Sequence, residues 1–132
     1  MLTRARSQMP EATERTVETV IGCAIEVHRR LGPGFLEGVY QDAMIIELDV
    51  AGLLARREVP VMLSYRGRPL REHRVDLIVE ECVILELKAV DRLDRIHQAQ
   101  LISYLRATGL RIGLLMNFNT EQLKSALRRV VL

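Results

Sequence analysis

Asp76, Glu86 and Lys88 are the side chains of this sequence best placed to do chemistry. They lie in Arg74-Val-Asp-Leu-Ile-Val-Glu-Glu-Cys-Val-Ile-Leu-Glu-Leu-Lys88, two apolar runs on either side of an acidic pair, Glu80-Glu81. That pattern predicts a β-hairpin. Side chains two apart on a strand share a face, so Glu86 and Lys88 point the same way, and strand pairing can bring Asp76 to that face. Charges in an otherwise apolar sheet are unfavourable unless they pair or bind a metal. The three residues are therefore either a structural ion-pair network at a strand end or a site that holds a cation.

The elements around them must do the positioning. Residues 1–10 read as a flexible lead-in, and residues 11–132 as one domain, long enough for a core without disulfides. From Glu11 to Leu31, Val17, Val20, Ile21, Ala24, Ile25, Val27, His28 and Leu31 recur at helical spacing, and Gly32-Pro33-Gly34 ends the helix. A second helix is expected from about Leu36 to Ala51, with Val39, Ala43, Ile46 and Val50 on one face. Alternation predicts a strand over 58–65, a turn at Arg66-Gly67, a strand running into Val79 and a third over 82–90. A helix over 91–107 and a strand over 111–118 follow, the latter apolar throughout as in a strand covered on both faces. Asn119-Thr120 would cap a last helix to about Arg128, leaving Val130-Val131-Leu132 as a terminal strand or a tail able to pair across a homodimer. The fold class is α/β, an antiparallel meander, a crossover helix and a returning strand in one mixed sheet flanked by helices.

Composition narrows the function classes. The formal charge of +2 rules out a polycation, so nucleic-acid binding would need a local basic face. Seventeen of the basic residues are Arg, and only Lys88 and Lys124 are Lys, so a lysine stands beside Glu86 in a chain that otherwise uses Arg. Cys23 and Cys82 have no metal-ligand spacing and read as small buried apolar residues. No apolar run reaches the roughly 18 residues of a membrane span. Arg4 and Arg6 precede no hydrophobic signal core, so a cytoplasmic placement is expected.

Asp76 and Glu86-x-Lys88 on a hairpin, followed by a helix and a strand, resemble the PD-(D/E)xK nuclease superfamily, with Val75 where the motif has Pro. Gly34-Phe-Leu-Glu37-Gly-Val-Tyr40 is similar to the motif of the GxxExxY family of small prokaryotic proteins within that superfamily. Gln100-x-x-x-Tyr104 resembles the Gln-x-x-x-Tyr element of RecB-like nucleases. The resemblance covers nearly the whole chain and implies a restriction-endonuclease-like core, α-β-β-β-α-β.

What the resemblance implies about activity is hydrolysis of phosphodiester bonds, DNA before RNA, with Mg²⁺ or Mn²⁺. Asp76 and Glu86 would hold the cation with the carbonyl of Leu87, and Glu37 would complete the acidic cluster through water. The cation would lower the pKa of water and neutralise the phosphate. Lys88 would deprotonate the water, which needs burial to lower lysine's proton affinity, or stabilise charge, which does not. Gln100 would position Lys88 or the water, Tyr40 or Tyr104 would contact phosphate or pack against the cluster, and His97 would look into the same cleft. A homodimer would suit cutting of two strands. A binding module that keeps the fold without cutting is the alternative.

Each residue also has a plainer reading. Glu37 suits the first turn of a helix through the macrodipole. Gln100 and Tyr104 share a helix face as a packed pair would. His97 and His28 suit surface or packing roles. Gly32-Pro33-Gly34 lacks the Lys-Ser/Thr and preceding strand of a phosphate loop. Arg66, Arg68, Arg71 and Arg74 are either a solvated edge or a surface that tracks phosphates. With two Phe, three Tyr and no Trp, no base-stacking platform is evident.

Overall fold

A computed structural model describes residues 9–132. Helix α1, Glu11–Leu31, buries Val17, Val20, Ala24 and Val27 along one stripe. Glu11 and Glu14 in its first turn and His28, Arg29 and Arg30 in its last complement the helix dipole. It ends at Gly32, whose N–H donates to the His28 carbonyl at 2.8 Å. Gly32 has φ of 68° with extended ψ. The following Pro33 disfavours helical ψ, and only glycine combines that with positive φ at little strain. Met9, within the stretch expected to be a lead-in, packs into the core beside α1. Residues 1–8 of that stretch lie outside the described residues.

Helix α2, Glu37–Val50, buries Tyr40, Met44 and Leu48. The face expected to be its core face points outwards, with Ile46 63% and Val50 77% exposed. Both faces are apolar, so spacing alone could not choose. Tyr40 decides, because its ring and its hydroxyl both find partners inside.

Strands β1 (Ala55–Tyr65), β2 (Arg68–Val79) and β3 (Val83–Lys88) form the antiparallel meander, and α3 (Arg95–Thr108) crosses over to β4 (Ile112–Asn117), which is parallel to β3. The β2–β3 turn places Glu80 and Glu81 at φ of 52° and 55°, where non-glycine residues are strained. Local contacts offset that strain. Glu80 accepts the Leu54 N–H at 2.6 Å, and Glu81 takes Arg56 in a two-pronged pair at 2.7 and 2.8 Å.

Helix α3 begins at Arg95, later than expected, because Asp94 and His97 form a capping box there. It lies close on β4. A Cβ at Gly113 would come 2.7 Å from Leu101 Cδ1, so the glycine lets the helix approach the strand. No helix forms over 119–128. One 3₁₀ turn, Leu123–Ala126, leads into β5, Leu127–Val131, antiparallel to β4. The reason is non-local. β4 is buried along its whole length, and its outer edge needs backbone partners that a helix would not supply. Val130 and Val131 pair with Gly113 and Ile112, so of the two expectations for the last residues, terminal strand or tail, the strand is the one that forms, and it completes the chain's own sheet.

The sheet order is β1-β2-β3-β4-β5. α1 and α2 share the larger core on one face, and α3 covers the smaller core on the other. From α2 to β4 the order is α-β-β-β-α-β, that of a restriction-endonuclease-like core, with α1 added before it. Among the described residues no helix is long and apolar enough to cross a membrane.

Candidate active site

The β2–β3 ladder pairs Val79 with Val83, Ile78 with Ile84 and Leu77 with Leu85, and there it stops. The next residues to face each other are Asp76 and Glu86. Their carboxylates take over from backbone carbonyls: the Asp76 N–H donates to Glu86 Oε2 at 2.9 Å, and the Leu87 N–H donates to Asp76 Oδ2 at 2.8 Å. Across β1, Glu58 stands opposite Asp76 with φ of 51°. The hairpin changes face at that point. Ala55, Leu77 and Val79 belong to the larger core, while Val59, Val61 and Val75 belong to the smaller one. Asp76 thus sits where the sheet both parts and turns.

Glu86 is only 5% exposed. Burial pushes its carboxyl up to about 8, reinforced by the charge of Asp76 and opposed by the Asp76 N–H and by Lys88. Burial likewise raises Asp76 to about 6, opposed by the Leu87 N–H and raised further by Glu37. Near neutral pH the pair therefore holds about one proton between them. Each carboxylate has one oxygen left over from these two bonds. Among the described residues no buried side-chain polar atom lacks a partner, so those oxygens are open to solvent.

The expected ligand set comes together in part. Among the described residues no three His, Cys, Asp or Glu side chains are close enough to hold one metal ion. Glu37, on the first turn of α2, is exposed and stands outside direct reach, although its charge is felt by both Asp76 and Glu86. The role expected of Glu37, completing the acidic cluster through water, does not need direct reach. The two remaining acids still fit a hard divalent cation, since Mg²⁺ is commonly bound by one or two carboxylates and several waters. The Leu87 carbonyl suits the set. Its N–H points towards β2, a strand residue's carbonyl points to the same edge, and the ladder no longer uses it.

Lys88 is half-buried on the same face as Glu86 and makes no ion pair among the described residues, yet its charge lowers both carboxyls. Tyr104 of α3 packs beside the pair. Its hydroxyl is pushed up to about 12, by burial first and then by Glu86 and Asp76. Gln100 lies one helical turn earlier and is half-buried. His73, absent from the expected set, places Nδ1 3.2 Å from the Tyr104 hydroxyl. It has no signal in the sequence, because its neighbour comes from α3.

Other expected residues have different duties. Tyr40 is fully buried and stacks on Phe118 at 4.6 Å, so it contacts no phosphate. Its hydroxyl donates to the Gly32 carbonyl at 2.6 Å and accepts the Phe35 N–H at 3.2 Å, which fixes the loop leading to Glu37. Tyr40→Phe is expected to destabilise the fold by about 1–2 kcal/mol, the cost of removing a buried hydrogen-bond partner. Urea unfolding would measure it, and an unchanged midpoint would show that the loop holds itself. His97 accepts the Asp94 N–H at 3.0 Å, so its ring serves the α3 cap and not the cleft. His28 bonds the Thr120 carbonyl at 2.6 Å, a structural role. Arg66, Arg68, Arg71 and Arg74 are all exposed, but Arg74 pairs with Pro60 and Arg68 with Tyr65 across an irregularity in the β1–β2 ladder, which sends those two to opposite faces, so the four do not make one basic surface.

A sequence profile of the PD-(D/E)XK nuclease superfamily matches residues 14–130. The crystal structure of SSO0001 superposes with a TM-score of 0.57 at 19% identity, over 71% of this chain and 48% of that one. The chain thus spans about half of that protein, and the likeness is one of fold. No curated protein matches the sequence. Superfamily members generally use divalent metal ions on nucleic acid, which is the chemistry that the open oxygens of Asp76 and Glu86 suit. With a profile running from α1 through β5 and the acids at the parting of β2 and β3, the chain belongs to the PD-(D/E)XK nuclease superfamily.

Proposed function

We propose that the protein is a Mg²⁺-dependent nuclease of the GxxExxY type, able to use Mn²⁺, that hydrolyses phosphodiester bonds in DNA before RNA. The observation that carries this reading is the Asp76–Glu86 pair, buried, mutually hydrogen-bonded through the backbone, and keeping one oxygen each for a ligand. A bound cation supplies positive charge against the phosphate and a more acidic water. The chain's own residues do the rest. Asp76 and Glu86 hold the cation, with the Leu87 carbonyl. Glu37 takes a hydrogen bond from a water in the outer shell. Lys88 brings an ammonium to the same face, where it stabilises charge on the phosphate or orients the attacking water. Gln100 aligns that water, and Tyr104 backs the pair and excludes solvent.

One observation favours a second reading. The third acid does not converge with the pair, which suits a nucleic-acid- or protein-binding module that keeps the fold without cutting. The experiment is cleavage of single-stranded, double-stranded and branched DNA and of RNA, with Mg²⁺, with Mn²⁺ and with EDTA, by the protein and by Lys88→Ala. Metal-dependent cutting that falls about a hundredfold or more in the folded variant supports the nuclease. No cutting of any substrate, with metal present and the protein folded, would favour the binding module.

A further inference from the structure

Sheet register sets out a row that runs past the acids. On the α3 face, Asp76 of β2 stands opposite Glu86 of β3, Glu86 is beside Leu115 of β4, and Leu115 pairs with Arg128 of β5. A second row joins Lys88 to Asn117. Neighbouring strands are about 4.8 Å apart, so the Arg128 backbone lies roughly 10 Å from that of Glu86.

At the Asn117 and Arg128 ends of these rows, beside the chain entering α3, is a cavity of about 250 Å³, lined by those two residues and by Asp91, Arg92, Asn119 and Thr120. Its wall is built. Asn117 is 2% exposed, accepts the Val90 and Asn119 N–H groups at 3.0 and 3.2 Å, and donates to the Val90 carbonyl at 2.9 Å. It therefore ties the end of β4 to the 88–93 segment. Arg128 Nη1 leans on the Ser125 and Leu127 carbonyls at 3.3 and 3.4 Å, which steadies the guanidinium and leaves its other N–H groups to a ligand. Neither Arg92 nor Arg128 makes an ion pair among the described residues, although seven ion pairs occupy other charged residues of the chain. Two guanidiniums against the one carboxylate of Asp91, with Asn119 and Thr120 beside them, favour an anion with several oxygens.

We propose that this cavity binds a phosphate of the nucleic-acid strand whose scissile bond lies at Asp76 and Glu86, a few nucleotides away, with Arg92 and Arg128 as its cations. The inference rests on the nuclease reading for the scissile bond, though not for the binding itself. It sets the path of the strand, from the parting of β2 and β3 across the ends of β3 and β4 towards β5. It also gives the chain a basic surface that the exposed arginines of the β1–β2 hairpin do not form.

The test is binding of a fluorescent single-stranded DNA oligonucleotide in EDTA, where no metal-dependent cutting occurs, over a series of salt concentrations. Arg92→Ala/Arg128→Ala is compared with the unaltered protein, with Arg92→Lys/Arg128→Lys and with Arg29→Ala/Arg30→Ala, which removes two charges from α1. The alanine pair is expected to weaken binding about tenfold or more and to reduce the salt slope by roughly 0.7 for each phosphate no longer neutralised. The lysine pair should keep most of the slope, and the α1 pair should behave as the unaltered protein. Unchanged affinity and slope in the alanine pair, an equal loss in the α1 pair, or no binding by the unaltered protein would overturn the proposal. Cleavage separates the two ideas. Cutting that persists with unchanged binding in the alanine pair sinks the cavity and leaves the nuclease. Binding lost in that pair, from a protein that never cuts, sinks the nuclease and keeps the cavity.

Discussion

Glu86→Gln is expected to lower metal-dependent cleavage by about a thousandfold or more while making the metal-free protein more stable at alkaline pH. The two effects have one cause. Glutamine keeps the shape, and its amide oxygen can still accept the Asp76 N–H in place of Oε2. It removes the charge that binds a cation. Losing about 4 kcal/mol of charge stabilisation in the transition state corresponds to roughly a thousandfold in rate. The same charge is unfavourable without a metal, because Glu86 is buried and its ionised form is held off by burial and by Asp76. A neutral side chain there should gain on the order of 2 kcal/mol at about pH 8.5. Cleavage rates paired with chemical denaturation in EDTA would measure both. A variant that cuts normally, or one that loses both activity and stability, would count against Glu86 as a ligand.

The metal-free protein should also lose stability as pH rises, which is the reverse of ordinary acid denaturation. The sign follows from the folded values. Glu86 binds its proton more tightly folded, at about 8 against an ordinary 4.5, and Asp76 at about 6 against 3.8. Between those limits the folded state holds more protons than the unfolded one, so stability falls with increasing pH. The contribution is fully present below about pH 4 and is lost as pH climbs through about 6 and then about 8, a total of a few kcal/mol. Divalent cation should reverse the loss. It competes with the shared proton, so its stabilising effect should be larger at about pH 8.5 than at about pH 6. Melting temperatures over pH, with EDTA and with Mg²⁺ or Mn²⁺, test this. Curves flat in pH, or a metal shift that shrinks as pH rises, would argue against a proton-sharing pair. Asp76→Asn and Glu86→Gln should flatten the lower and upper parts of the curve in turn.

Legibility of the fold and site in the sequence depends on whether a signal is local. The β2–β3 hairpin is readable because acids interrupt two apolar runs at positions that alternation puts on one face. Helix α1 is readable end to end because it has one apolar stripe and a glycine-proline stop. The buried face of α2 is not, because two apolar stripes compete and only contact with Phe118 selects Tyr40's. The terminal strand is legible at Val130-Val131, but its start at Leu127 is hidden because Leu127 to Arg129 extend to complete the edge of β4, while Asn119-Thr120 offers a credible helix start. At the site, the pairing of Asp76 with Glu86 is visible, whereas the outlying position of Glu37 depends on how α2 sits on the sheet. His73 and Glu58 reach the cluster through α3 and β1 and carry no motif. His97 suits a cleft or a cap equally well until Asp94 is placed beside it.

The handover from backbone ladder to side-chain carboxylates leaves the state of the site written in two amide groups. The Asp76 N–H ends on Glu86, and the Leu87 N–H ends on Asp76. Each proton therefore senses directly whether its acceptor is ionised, protonated or turned towards a cation. In a ¹⁵N-labelled sample these two cross-peaks should move with pH and with added Mg²⁺, even when no substrate is cut. The amides of Ile78 and Val79, inside the regular ladder, should stay nearly still as internal references.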